Sequence, residues 1–253
     1  MTNGENTPIY SAARRLYTNY VDGRKKLSLP GLFILLQEIA LEHATLRGFG
    51  YDHLKTQGQF WVLAKVKVLL YEYPQWNDEL HIDTWSKEPE ILTAYRDFEG
   101  YDTQRRHLFS ATSSWHILSE GAHRPQRVDA LKQSFLIPEN KHAIAEKLNK
   151  IPAPGATTPG ALKTVLWSDV DVNMHVNNSR YVQWVIDSFP AAFVLSRQIA
   201  EIEVNFLQQA VLGNQYYIFT QENNPAEFIS SVIRADDQKE LARVKLKTKN
   251  HAL

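Results

Sequence analysis

One stretch of this chain is written twice, and that limits the fold more than anything else in the sequence. Ala64-Lys-Val-Lys-Val-Leu-Leu-Tyr71 reads over Ala200-Glu-Ile-Glu-Val-Asn-Phe-Leu207. The same spacing, carried forward without a gap, sets Trp76-Asn-Asp-Glu-Leu80 over Leu212-Gly-Asn-Gln-Tyr216. Each copy reads as a strand, a polar turn and a second strand. Ile202, Val204 and Phe206 alternate with Glu201, Glu203 and Asn205, the period-2 pattern of a half-buried strand. Such self-similarity calls for one supersecondary unit used twice.

A helix precedes each copy. Pro30 stands where a helix can begin, because its missing N–H would be unpaired there anyway. From Leu32 to Ala44 only Gln37, Glu38, Glu42 and His43 are polar, so this helix is apolar over most of its circumference and is expected to be buried. Tyr181, Val182, Trp184, Val185 and Ile186 form the shorter equivalent. Strands are expected at roughly 60–72, 80–86, 91–101 and 107–118, then at 200–208, 215–221, 227–234 and 241–248. A short helix is expected from Lys141 to Leu148, and Pro152 to Gly160 is a linker by composition. The reading is therefore a module over 1–130, a connection over 131–160 and a second module over 161–253. Buried helices followed by long antiparallel strands make an α+β fold in which a sheet wraps a helix.

Composition narrows the function. The 28 basic residues balance the 28 acidic ones, so no global charge favours nucleic acid or an anionic membrane. There is no cysteine, which removes disulfides, thiolate metal sites and a thiol nucleophile together. The nine histidines show no ligand spacing, so neither a metal nor another cofactor is expected. The first residues carry no apolar run resembling a signal peptide, and Leu32 to Leu36 is far short of the ~20 residues that span a bilayer. A cytoplasmic protein with no membrane span is the expectation.

Chemistry concentrates in Trp167-Ser-Asp-Val-Asp171-Val-Asn173-Met-His175-Val-Asn-Asn-Ser-Arg-Tyr181. In an extended segment alternate side chains share a face, so Asp171, Asn173 and His175 converge while Val172 and Met174 point inward. The helix that follows brings free N–H groups able to stabilise a developing oxyanion. His175 can take a proton from water near neutral pH, and Asp171 can orient the imidazole or activate the water itself. Asn173 adds a neutral donor. Asp and Asn before a helix also serve simply as caps and turn formers, and spacing alone favours that account.

The sequence resembles the acyl-ACP thioesterase family, known from plant plastids and bacteria. The likeness rests on the Trp167–Tyr181 segment and on Trp184, Asp187 and Ser188 after it. In the first half it rests on Leu36-Gln-Glu-Ile-Ala-Leu-Glu-His43, Tyr73-Pro-Gln-Trp-Asn-Asp78, Asp83-Thr-Trp85 and Ser113-Ser-Trp115. The resemblance implies a tandem hot dog, two curled antiparallel sheets each around a long helix, with catalysis in the second module by Asp171, Asn173 and His175. It also implies that the first module's helix and sheet line an acyl-chain tunnel, with Phe33, Leu36 and Trp61 as candidate lining residues that can equally be plain core. Plant members carry a further Glu followed by Cys. Alignment through Phe206 puts Gln209 and Ala210 there, so Gln209 can hold a water or carbonyl but cannot act as a base.

The implied partner is acyl carrier protein, an acidic protein, for which Arg14-Arg15, Arg24-Lys-Lys26, Arg105-Arg106 and Arg124 with Arg127 are candidate contacts. The implied reaction is hydrolysis of fatty acyl-ACP to free acid and holo-ACP, by direct attack of water. Alternatives are an acyl-CoA thioesterase of the same fold, a hydroxyacyl dehydratase, or a non-catalytic module that binds acyl thioesters. A monomer of tandem modules and a homodimer both fit.

Overall fold

The computed structural model describes residues 7–155 and 158–250. Ala156 and Thr157, inside the expected linker, lie outside the described residues, as do the first six residues of the segment judged to lack a signal run. The chain divides into two compact units, Met1–Leu148 and Asn149–Leu253.

In the first unit, β1 (Ile9–Arg15), α1 (Leu29–Leu46) and α2 (Tyr51–Thr56) precede β2 (Gln59–Leu70), β3 (Glu79–Lys87), β4 (Ala94–Tyr101), β5 (His107–Ser119) and the short β6 (Pro125–Gln126). The strands run antiparallel in the order β1-β3-β4-β5-β2, with β6 beside β5. Ser28 caps α1, its Oγ accepting from the Gly31 N–H at 3.0 Å. Ten of the 18 helix residues are buried, among them Leu32, Phe33, Leu35, Leu36 and Ile39. Each large apolar side chain so buried contributes about 1.5–3 kcal/mol. By length and composition α1 could cross a membrane, but this burial makes it a core helix. Phe33 and Leu36 lie in that core; Trp61 is half-buried, its Nε1 donating to the Phe49 carbonyl at 2.9 Å.

A polar cluster sits inside this core. Arg96 on β4 donates from Nη1 to His43 Nδ1 at 2.8 Å and to Thr84 Oγ1 at 3.3 Å, and Tyr10 stacks on the imidazole at 5.5 Å. Burial first, and then the charges of Arg96 and Arg47, push His43 down to about 3. A guanidinium can only donate, so Nδ1 is unprotonated and the ring is neutral.

The sequence reading needs four corrections here. The helix expected from Lys141 to Leu148 is absent, because side chains from the sheet claim its backbone groups. Trp85 Nε1 donates to the Lys141 carbonyl, Lys87 Nζ to that of Ile144 and Lys65 Nζ to that of Leu148, while the Ala143 N–H donates to Asp97. Strand β1 was not expected; Ala12 is its one buried residue, so it leaves almost no period-2 signal. The strand expected from Ile91 starts at Ala94, after a turn in which Glu90 and Thr93 exchange backbone hydrogen bonds. In the second unit an extra helix, Ala191–Ser196, precedes the first long strand.

That unit contains β7 (Lys163–Thr164), a 3-10 turn at Trp167–Asp169, α3 (Asn178–Ile186) and α4 (Ala191–Ser196). These are followed by β8 (Arg197–Phe206), β9 (Gln215–Asn224), β10 (Glu227–Arg234) and β11 (Glu240–Asn250). Its antiparallel order is β8-β11-β10-β9-β7. Helix α3 packs through aromatic rings: Trp184 stacks on Tyr216 at 4.0 Å, and Tyr181 meets Phe206 edge-on at 5.9 Å.

Candidate functional site

The stretch from Asp171 to His175 is a tight turn and not an extended strand. The Asp171 N–H donates to the His175 carbonyl at 2.8 Å and the Met174 N–H to the Asp171 carbonyl at 3.0 Å. Met174 takes a φ of 60°, in the left-handed region. The Asp171 carboxylate accepts the Asn173 N–H at 2.8 Å, closing an Asx-turn. Val170 and Val176 pair across the base of the turn.

This geometry overturns the expected alternation. Val172 is 91% exposed and Met174 49%, where both were expected to point inward. A strand's period needs extended backbone, and a left-handed residue plus a side-chain cap removes it. Asp171 and His175 are half-buried and held at the two ends of one turn, while Asn173 lies exposed at its tip. The expectation of free N–H groups at the start of α3 also changes. Asn177 caps the helix, its Oδ1 accepting from the Ser179 N–H at 2.9 Å and its carbonyl from the Arg180 N–H at 2.9 Å.

Gln209 is brought to the same place through its neighbours. His175 pairs with Val211, and the Val176 N–H donates to the Ala210 carbonyl at 2.9 Å. The peptide joining Gln209 to Ala210 is held at both ends. Arg234 Nη1 donates to the Gln209 carbonyl and the Ala210 N–H donates to the Tyr181 hydroxyl, each at 3.1 Å. Tyr181 is 3% exposed and Ala210 fully buried. Burial holds the phenol above its ordinary proton affinity; the Ala210 N–H and the Arg234 charge oppose this, and the Asp171 charge adds to it. Neither Tyr181 nor Arg234 figured among the site residues read from sequence. The signal was a Tyr at the fourth position of a helix whose apolar face needed no hydroxyl.

The first unit builds the same turn. Asp22 N–H donates to the Lys26 carbonyl at 2.8 Å, Lys25 N–H to the Asp22 carbonyl at 2.9 Å, and the Arg24 N–H to the Asp22 carboxylate at 2.8 Å. Lys25 has a φ of 59°, Val21 pairs with Leu27, and Lys26 pairs with Gln75. The Leu27 N–H donates to the Pro74 carbonyl at 2.9 Å. Asp22, Arg24 and Lys26 therefore stand where the second unit has Asp171, Asn173 and His175. The Arg24 guanidinium grips the Asp22 carboxylate at 2.6 and 2.9 Å, so this turn carries an internally neutralised acid and no imidazole.

Of the other cations singled out above, Arg14 pairs with Glu42, Arg105 with Asp83, Arg106 with Asp102 and Arg127 with Asp129.

Two solved structures share this architecture along almost the whole chain. An acyl-ACP thioesterase from Bacteroides thetaiotaomicron superimposes with a TM-score of 0.88 at 23% identity, over 97% of this chain and 100% of that one. The 12:0-ACP thioesterase from Umbellularia californica gives 0.85 at 20% identity, over 98% and 99%. The protein is thus of the tandem hot-dog class, as the sequence resemblance implied. Residues 10–131 match the model of the acyl-ACP thioesterase N-terminal domain and residues 161–250 that of the C-terminal domain. The chain belongs to the acyl-ACP thioesterase family. Oleoyl-acyl carrier protein thioesterase 2 of Arabidopsis thaliana is 27% identical over 216 residues, 78% of this chain and 59% of that protein. Acyl-[acyl-carrier-protein] hydrolase FATB1 of Cuphea viscosissima is 24% identical over 233 residues, 85% and 56%. The chain spans less than three-fifths of the length of these relatives.

Proposed function

We propose that this protein hydrolyses fatty acyl-ACP thioesters to free fatty acid and holo-ACP, with its site at Asp171, Asn173, His175 and Gln209. The observation that carries the reading is the turn that fixes Asp171 and His175 at its two ends, beside Ala210 and Val211, the two residues that follow Gln209. A water held between His175 and Gln209 gives its proton to the imidazole as its oxygen attacks the thioester carbonyl carbon. Asp171 holds the charge that the imidazole acquires, and Asn173 at the turn tip steadies the carbonyl oxygen. As the C–S bond breaks, the imidazole returns the proton to the departing sulfur, leaving the acid and the pantetheine thiol. Gln209 orients the water without taking its proton, since an amide is no base.

An acidic carrier protein is the proposed partner and the cytoplasm the proposed compartment. Several arginines near the expected docking faces already hold carboxylates, so a carrier must compete with those internal partners for them.

The test is acid release from a panel of acyl-ACP and acyl-CoA thioesters, with His175→Ala and Asp171→Asn alongside. Free fatty acid from the wild type, lost in folded variants, supports the reading. Release from CoA esters alone replaces the carrier with CoA. Binding without release reduces the turn to a structural element before α3.

A further inference from the structure

Tyr181 stands out because the fold does not ask for its hydroxyl. The two units build the same turn at the start of a helix, and each supplies a control for the other. Helix α1 begins at Leu29 and α3 at Asn178, so the fourth residue is Leu32 in one and Tyr181 in the other. Both are buried. Across from them, the residue whose carbonyl closes the turn is Pro74 in the first unit and Ala210 in the second.

In the first unit, then, the equivalent positions hold a leucine and a proline, which has no N–H. The turn still closes, with the Leu27 N–H on the Pro74 carbonyl at 2.9 Å and Lys26 paired with Gln75. In the second unit the same position carries a buried amide N–H, and a buried phenol accepts it at 3.1 Å. Bringing two polar groups inside is unfavourable until they are matched, and matched they give at best a modest net gain. The apolar arrangement holds the backbone equally well. The polar one occurs in the unit that carries Asp171 and His175.

We infer that Tyr181 is a positioning residue of the hydrolytic site, its hydroxyl fixing the Gln209–Ala210 peptide in register with the Asp171–His175 turn. Arg234 fixes the other end of that peptide at the Gln209 carbonyl, so the Gln209 side chain leaves the backbone in one direction relative to His175. With its oxygen accepting from Ala210, the phenol keeps its own proton to donate. This assignment rests on the hydrolytic reading given above.

The experiment transplants the first unit's solution into the second. Tyr181→Leu combined with Ala210→Pro removes the hydroxyl and the N–H together and leaves no buried group unmatched. The double variant is expected to keep its circular dichroism and cooperative unfolding, to retain its KM within about two-fold, and to lose about 10- to 100-fold in kcat, the scale of an ångström-sized misplacement. Tyr181→Phe, which keeps the ring, is expected to lose kcat on the same scale, with KM again little changed. Wild-type kcat in a folded double variant overturns the assignment, and should that variant fail to fold, wild-type kcat in Tyr181→Phe does so. A wild type inert on every thioester overturns the hydrolytic reading instead, and this assignment with it.

Discussion

Asp171 and His175 are bound to each other through their backbones, the N–H of one donating to the carbonyl of the other at 2.8 Å. Whatever their side chains do, their separation is set by a turn that the chain uses twice. The His175 side chain can therefore be changed with little effect on the frame that holds it, whereas the Asp171 carboxylate is itself part of the turn.

His175→Ala is accordingly expected to leave the unfolding temperature close to wild type while cutting kcat by about 10²–10⁴, the usual contribution of a positioned acid–base group. Steady-state hydrolysis beside a thermal melt checks this. Wild-type kcat in the folded variant would remove the residue from the reaction.

Two substitutions at Asp171 should separate turn from chemistry. Asparagine keeps a side-chain oxygen for the Asn173 N–H, so Asp171→Asn should hold its stability while losing activity. Asp171→Ala should lose activity and also about 1 kcal/mol, as deletion of such a cap does. Urea titrations of the two variants make the comparison.

Stability should fall on mild acidification, and His43 sets the window. Its folded value is about 3 against 6.5 in the open chain, so the unfolded state binds the proton more readily. The stability tied to the neutral ring is complete above pH 6.5 and declines as pH falls from there towards 3. Between pH 7 and 5 the loss is about 2 kcal/mol. In His43→Gln, denaturant unfolding at the two pH values should show a correspondingly smaller difference.

Gly31→Ala is expected to destabilise the first unit by about 1–3 kcal/mol. A Cβ there would fall 2.3 Å from the Tyr20 carbonyl oxygen and 2.8 Å from two further Tyr20 backbone atoms. The obstacle is backbone, so no rotamer change relieves it. Thermal melts of the variant test this.

Where sequence reading succeeded and failed follows from which forces leave a periodic trace. The long strands were legible because apolar side chains alternate at the strand period, and α1 because a nearly unbroken apolar run follows Pro30. The turn at Asp171 misled because Asp-Val-Asn-Met-His alternates like a strand, while the hydrogen bond from the Asn173 N–H to Asp171 and the left-handed Met174 decide the backbone. Its twin at Asp22 was missed for another reason. Helix α1 has 18 residues and α3 nine, so the spacing that superimposes the strands does not superimpose the turns before the helices. Tyr181 read as one more apolar-face residue because a phenol is largely hydrocarbon, and the N–H it serves belongs to a residue 29 positions away. Segment 141–148 has helix-forming composition, but distant lysines and a tryptophan claim its carbonyls.

The exposure of Val172 has a practical use. It stands 91% exposed at the rim of the site, in a chain that contains no cysteine. Val172→Cys would therefore create a single thiol between Asp171 and Asn173, open to a fluorophore or spin label without removing any native residue of its kind. A reporter there would test the proposed carrier encounter from the outer side of the turn, and time it separately from the proposed bond cleavage on one molecule.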